Sequence, residues 1–126
     1  MDTTRRRCLA WLAAGLPLAA VLSEPAGAQN SPRRVVEVRI ENRKVVEPAE
    51  AIRITKGEVV EILWTSDETV KLHLHGYDIE LHVQSGEPAA MVVEGHATGR
   101  FPIASHGWGD GGHGHEALTY LEVYPD

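Results

Sequence analysis

The chain has 126 residues, a formal net charge of −6, seven histidines and a single cysteine. An acidic surface of this kind excludes nucleic acid and anionic lipid as natural partners. One cysteine excludes a disulfide framework, and the length suits one domain with one core.

Residues 1–28 read as an export signal. Arg5, Arg6 and Arg7 form a positive start, Cys8 to Leu22 a short apolar run, and Ala26-Gly27-Ala28 a small-x-small cleavage site. Gly15 and Pro17 interrupt the run, which falls short of the about 20 apolar residues a spanning helix needs. The stretch Thr4 to Leu9 resembles the twin-arginine export consensus, with Cys8 where that pattern often has phenylalanine. That route carries folded proteins, often with a cofactor already inserted, and it points to a bacterial periplasm. Cleavage would remove three arginines, Asp2 and Glu24, leaving residues 29–126 with a formal charge of −7 and no cysteine. That mature chain is expected to be the single domain, with no membrane insertion.

After a loose tail from Gln29 to Arg33, short segments of β type follow one another. Val36, Val38 and Ile40 alternate with Glu37, Arg39 and Glu41, the period of a half-buried strand. Ile52 and Ile54 repeat it before a turn at Lys56-Gly57-Glu58, and Val60, Ile62 and Trp64 continue it beyond. Leu72 and Leu74 alternate with Lys71, His73 and His75, and Ile79, Leu81 and Val83 with Glu80, His82 and Gln84. A turn at Ser85 to Pro88 precedes the apolar run Ala89 to Val93, and Gly95 to Gly99 reads as a loop. Phe101, Ile103 and Ser105 then share one strand face, with Pro102, Ala104 and His106 on the other. Gly107 to Gly114 reads as a glycine-rich loop displaying Trp108, and Leu118 to Tyr124 as the closing strand. Seven to eight strands without a helical window predict an all-β sandwich.

The histidines carry whatever chemistry this chain has. His73 and His75, two apart on a strand, project from the same face, as chelation requires. His106 ends a later strand, and His113 and His115 follow where glycines 107, 109, 111, 112 and 114 let the chain turn back. If the two strands are neighbours, His73, His75 and His106 can meet at one end of the sandwich. His113, His115, Asp110 or water would complete four ligands, with Glu116 as a partner for a ligating imidazole. His82 shares a solvated face with Glu80, and His96 has no spacing partner, so both read as surface residues. Ser105 and His106 lie on opposite faces and make no nucleophile–base pair; no Gly-x-Ser-x-Gly element or catalytic carboxylate pair stands out.

Three stretches together resemble the cupredoxin superfamily: Val45 to Val60, Thr65 to Ile79 (TSDETVKLHLHGYDI) and Gly99 to Val123 (GRFPIASHGWGDGGHGHEALTYLEV). The resemblance spans residues 29–126 and is to small periplasmic members lacking the usual cysteine; it implies a Greek-key β-sandwich. The run His73-Leu74-His75-Gly76 is also similar to copper-ligand motifs of multicopper oxidases. The resemblance implies one ligand at His73 or His75 and the rest from the Arg100 to His106 strand and the loop after it. Serine stands at 105 where it would place cysteine, and the two methionines, Met1 and Met91, lie elsewhere. A blue-copper centre needs a thiolate sulfur, so an all-nitrogen site for copper, or zinc, is the expectation. The expected role is copper buffering, delivery or tolerance in the periplasm, without enzymatic activity. Two alternatives stand beside it: a metal-free degenerate domain that binds a protein partner, and a small copper enzyme activating oxygen or water at an open position.

Overall fold

The computed structural model describes Gly15 and residues 33–48, 50–112 and 115–126. The stretch expected to be an export signal, apart from Gly15, and His113 lie outside the described residues. Nine strands are present among those described: β1 (Arg34–Glu41), β2 (Lys44–Glu47), β3 (Ile52–Thr55), β4 (Val59–Ser66), β5 (Val70–Leu74), β6 (Ile79–Val83), β7 (Ala89–Glu94), β8 (Gly99–Trp108) and β9 (Ala117–Tyr124). They form a four-stranded sheet in the order β2-β1-β4-β7 and a five-stranded sheet in the order β3-β9-β8-β5-β6. The β1–β4 and β3–β9 pairs are parallel and the other pairs antiparallel. This is a two-sheet Greek-key sandwich. No helix among the described residues is long and apolar enough to cross a membrane.

The core consists of the alternating apolar positions read from the sequence. Val38 and Ile40 of β1, Ile62 and Trp64 of β4, Leu72 and Leu74 of β5 and Leu121 of β9 are all buried. Each strand turns one face to the opposite sheet, so every second side chain leaves water. One expected strand count is corrected: nine strands replace seven to eight. The extra one is β2, whose adjacent Val45 and Val46 show no alternation. It is joined to β1 by a two-residue turn in which Asn42 and Arg43 both have positive φ, 50° and 63°. That conformation matches the twist of a tight hairpin and is one that asparagine tolerates.

A second correction concerns the glycine-rich region. β8 does not stop at His106 but continues to Trp108. Its ladder with β5 pairs Leu72 with Ser105 and Lys71 with Gly107, leaving His106 as an inserted residue, a β-bulge. A bulge places two consecutive residues on one side and reverses the phase of all that follow. Trp108 is therefore turned inward opposite the buried Val70 and is only 7% exposed. Read with unbroken alternation, the same residue would face solvent.

Candidate metal centre

His73 lies mid-strand on β5 between Leu72 and Leu74, both fully buried, so its imidazole stands on the outer face of the five-stranded sheet. His75 follows in the turn linking β5 to β6. Its backbone N–H still donates to the Pro102 carbonyl at 3.0 Å, which extends the β5–β8 ladder and keeps His75 on the same face as His73. That turn is pinned from outside. Tyr77 donates its hydroxyl to the Ala97 carbonyl at 2.8 Å and meets Phe101 edge-on with ring centroids 4.9 Å apart. Gly76 has φ +85°, and a Cβ there would lie 2.6 Å from the Phe101 ring. Only glycine fits both the backbone conformation and the space.

His106 reaches the pair through the bulge on β8. Beneath it, small Ala104 is the register partner of His73 and leaves the rings room to converge. The Nδ1 of His73 stands 3.1 Å from the Nε2 of His106, which stands 3.3 Å from the Nε2 of His75. One ring nitrogen from each of the three histidines lies within 4.8 Å of the other two. Two nitrogens bound to one tetrahedral ion at about 2.0–2.1 Å are about 3.3–3.4 Å apart. The cluster therefore has donor type and spacing that can chelate one metal ion. It forms on the outer face of the five-stranded sheet, where β5 and β8 lie side by side and His75 continues from the end of β5 into the turn.

The surroundings favour a neutral His106. Burial pushes the pKa of His106 below the ordinary histidine value, and the neighbouring His73, His75 and His115 push it the same way. Acidic groups border the site. Asp78, on the turn after His75, holds a carboxylate oxygen 3.8 Å from the Nε2 of His73, the nitrogen that faces away from the cluster. Glu80 is the register partner of His73 on β6; its ion pair with Lys71, at 3.0 Å, keeps its carboxyl pKa low. Neither Asp78 nor Glu80 was singled out from sequence as a neighbour of the site. The hairpin register between β5 and β6, which fixes both, is the signal that places them.

The other expected residues that are described stand outside the three-histidine group. His115 is exposed on the β8–β9 connection, with its ring edge-on to His106 at a centroid distance of 5.5 Å. Asp110 is corrected as a ligand candidate: it is ion-paired with Arg43 and accepts the Gly112 N–H at 2.9 Å. Glu116 lines a cleft of about 350 Å³ with Arg43, Lys44, Ser105 and Trp108, on the other side of β8. His82 is exposed as expected, and exposed His96 packs on Tyr77. Ser105 is buried and faces that cleft, opposite the imidazoles, so the position that would supply a thiolate points away from the cluster. Met91 is buried on β7 of the other sheet. Among the described residues, the sulfur ligands of a blue-copper centre are absent from this site.

No family model and no curated protein sequence matches the chain. Solved structures do. A chain of a heme-copper terminal oxidase dimer aligns at 23% identity over 73% of this chain and 65% of that one, with a TM-score of 0.58. The periplasmic domain of subunit II of cytochrome oxidase (CoxB) of Bradyrhizobium japonicum aligns at 11% identity over 74% and 85%, TM-score 0.53. A copper binding protein in its apo form aligns at 15% identity over 71% and 87%, TM-score 0.52. At such identities the likeness is one of fold: the chain is a cupredoxin-like β-sandwich carrying a histidine-only cluster.

Proposed function

We propose that this chain is an exported copper-binding module that holds one ion on His73 Nδ1, His75 Nε2 and His106 Nε2, for copper buffering, delivery or tolerance. The observation that carries the reading is the gathering of one imidazole nitrogen from each of three histidines, on two strands and a turn, within 4.8 Å of one another. An all-imidazole set suits Cu(II), and zinc is accepted by the same ligands. The N-terminal signal supports a location outside the cytoplasm, as does the fold shared with a periplasmic oxidase domain. The ion would be kept oxidised by nitrogen ligands, so storage or handover fits the site better than rapid electron transfer. His73 would bind through Nδ1 with its Nε2–H turned toward Asp78, a carboxylate that orients the ring and raises its basicity.

The test is metal content by elemental analysis on protein recovered from the exported fraction of its host. About one copper per chain is expected in the wild type and loss of it in the His73→Ala/His75→Ala double variant. Equal metal content in both proteins would overturn the assignment.

A metal-free accessory domain is the second reading. It is favoured by the hydrogen-bond spacing among the rings, which lets His106 share a ring hydrogen bond with a neighbouring imidazole without any ion. A melting temperature indifferent to chelator and to added Cu(II) would support this reading, since a ligand that prefers the native state must stabilise it.

A further inference from the structure

Among the described residues, β2 and β7 are the edges of the four-stranded sheet, and β3 and β6 those of the five-stranded sheet. An edge strand leaves alternate backbone N–H and C=O groups outside the ladder, and another strand can add there. β6 pairs with β5 alone among the described residues. Its inner positions, Ile79, Leu81 and Val83, are apolar and half-buried to buried, while Glu80 and His82 are exposed on the outer face. His82 is the register partner of Lys71, another base, and makes no hydrogen bond or ion pair among the described residues. The Lys71 amine lies 3.0 Å from the Glu80 carboxylate instead. The edge thus displays an acid and an unpaired base two residues apart on one face.

We propose that β6 is the docking edge for a second copy of this chain, added antiparallel about a two-fold axis at Leu81. In that register Leu81 faces Leu81 of the second copy, Ile79 faces its Val83, and Glu80 faces its His82, the last two pairs occurring twice by symmetry. Each imidazole then gains a carboxylate to donate to, a cross-strand match of opposite partners. An axis at Glu80 would set two carboxylates face to face, and one at His82 would pair the imidazoles and leave Glu80 against Gln84. The other edges offer no such match. On β3, Arg53 would face itself or Thr55, and it is already ion-paired with Glu50 and Glu122. β7 displays Ala90, Val92 and Glu94 with no base, and β2 would set Lys44 against Val46 or Val45 against Glu47. The β6 contact uses the same surface on both copies, so it closes at a dimer. It makes one continuous sheet with both histidine clusters on the same outer face. Three strand spacings and a two-residue offset put the two His73 positions about 16 Å apart. Two five-residue strands bury little area, so the association is weak.

The test is sedimentation velocity on metal-free protein, from about 10 μM to about 1 mM to suit a weak interface. Wild type should show a monomer–dimer equilibrium. His82→Glu, which sets like charges face to face in both outer pairs, should raise the dissociation constant about tenfold or more. The charge-swapped Glu80→His/His82→Glu variant should restore association, since each copy again offers an acid opposite a base. Amide hydrogen exchange locates the contact: β6 amides should slow with rising concentration in wild type and not in His82→Glu, while those of β2, β3 and β7 stay unchanged. A wild type that remains monomeric over the whole range would overturn the proposal. So would a dimer indifferent to His82→Glu, or protection that builds at another edge. A charge-swapped variant that stays monomeric with unchanged circular dichroism would overturn the Glu80–His82 pairing and with it the register. No metal is present in these measurements, so their outcome stands apart from the metal-binding reading above.

Discussion

The Nε2 atom of His106 stands within hydrogen-bonding reach of two other imidazole nitrogens, and there protons and a metal ion compete for the same lone pairs. Its folded-state pKa is lowered from 6.5, by burial first and by the neighbouring rings second. A histidine of this kind binds fewer protons folded than unfolded, so its contribution to stability is unimpaired above about pH 6.5 and is lost as the pH falls through that value. Metal-free protein should therefore melt at progressively lower temperature below that pH, and the trend should flatten in His106→Gln. A pH-independent melting curve from pH 7.5 to pH 5 would contradict it. Gly76 provides a second residue-scale check. Gly76→Ala must accept a positive φ and displace the Phe101 ring, at a cost of about 1–3 kcal/mol. Denaturant unfolding should show that loss, and Cu(II) affinity should fall with it because His75 is the residue before. The His-x-His spacing was readable as one face of a strand from residues 73 and 75 alone. The Asp110 pairing was not, because its partner Arg43 lies 67 positions away and nothing local announces it.

At the scale of elements, β8 decides the geometry of the site. The bulge at His106 allows the strand to present that imidazole outward and then bury the indole two residues later. Period-two reading of Phe101 to His106 gave the right face for His106, since the bulge begins there, whereas Trp108, read as displayed on a glycine-rich loop, lies beyond the bulge on β8 and is buried. A bulge has no dependable sequence mark, and the glycines around it read equally well as a loop. Trp108→Ala should consequently cost about 3–5 kcal/mol, as for a core aromatic, where an exposed loop residue would cost within about 0.5 kcal/mol. Chemical denaturation distinguishes the two values. β2 escaped sequence reading for a different reason: four residues with an exposed, half-buried, exposed, exposed pattern carry too little periodicity to register.

Across the whole molecule, two sheets bury one apolar layer and leave the outer face of the five-stranded sheet free to carry polar chemistry. The sandwich was legible because alternation persists through β1, β4, β5 and β9, where core and solvent each take every second residue. The meeting of His73 and His75 with His106 was legible only as a possibility, since it depends on β5 and β8 being neighbours, a pairing between residues some thirty positions apart. Binding to the native state alone should raise stability by about 2.7 kcal/mol at a free Cu(II) concentration 100 times the dissociation constant. Differential scanning calorimetry should show that rise in wild type and not in the His73→Ala/His75→Ala variant. The most direct measurement is X-ray absorption at the copper edge of the loaded protein. The account requires a first shell of nitrogen or oxygen scatterers at about 2.0 Å, three or more of them imidazole, with no sulfur. A sulfur scatterer in that shell, or an unchanged spectrum after all three of His73, His75 and His106 are replaced by alanine, would contradict it.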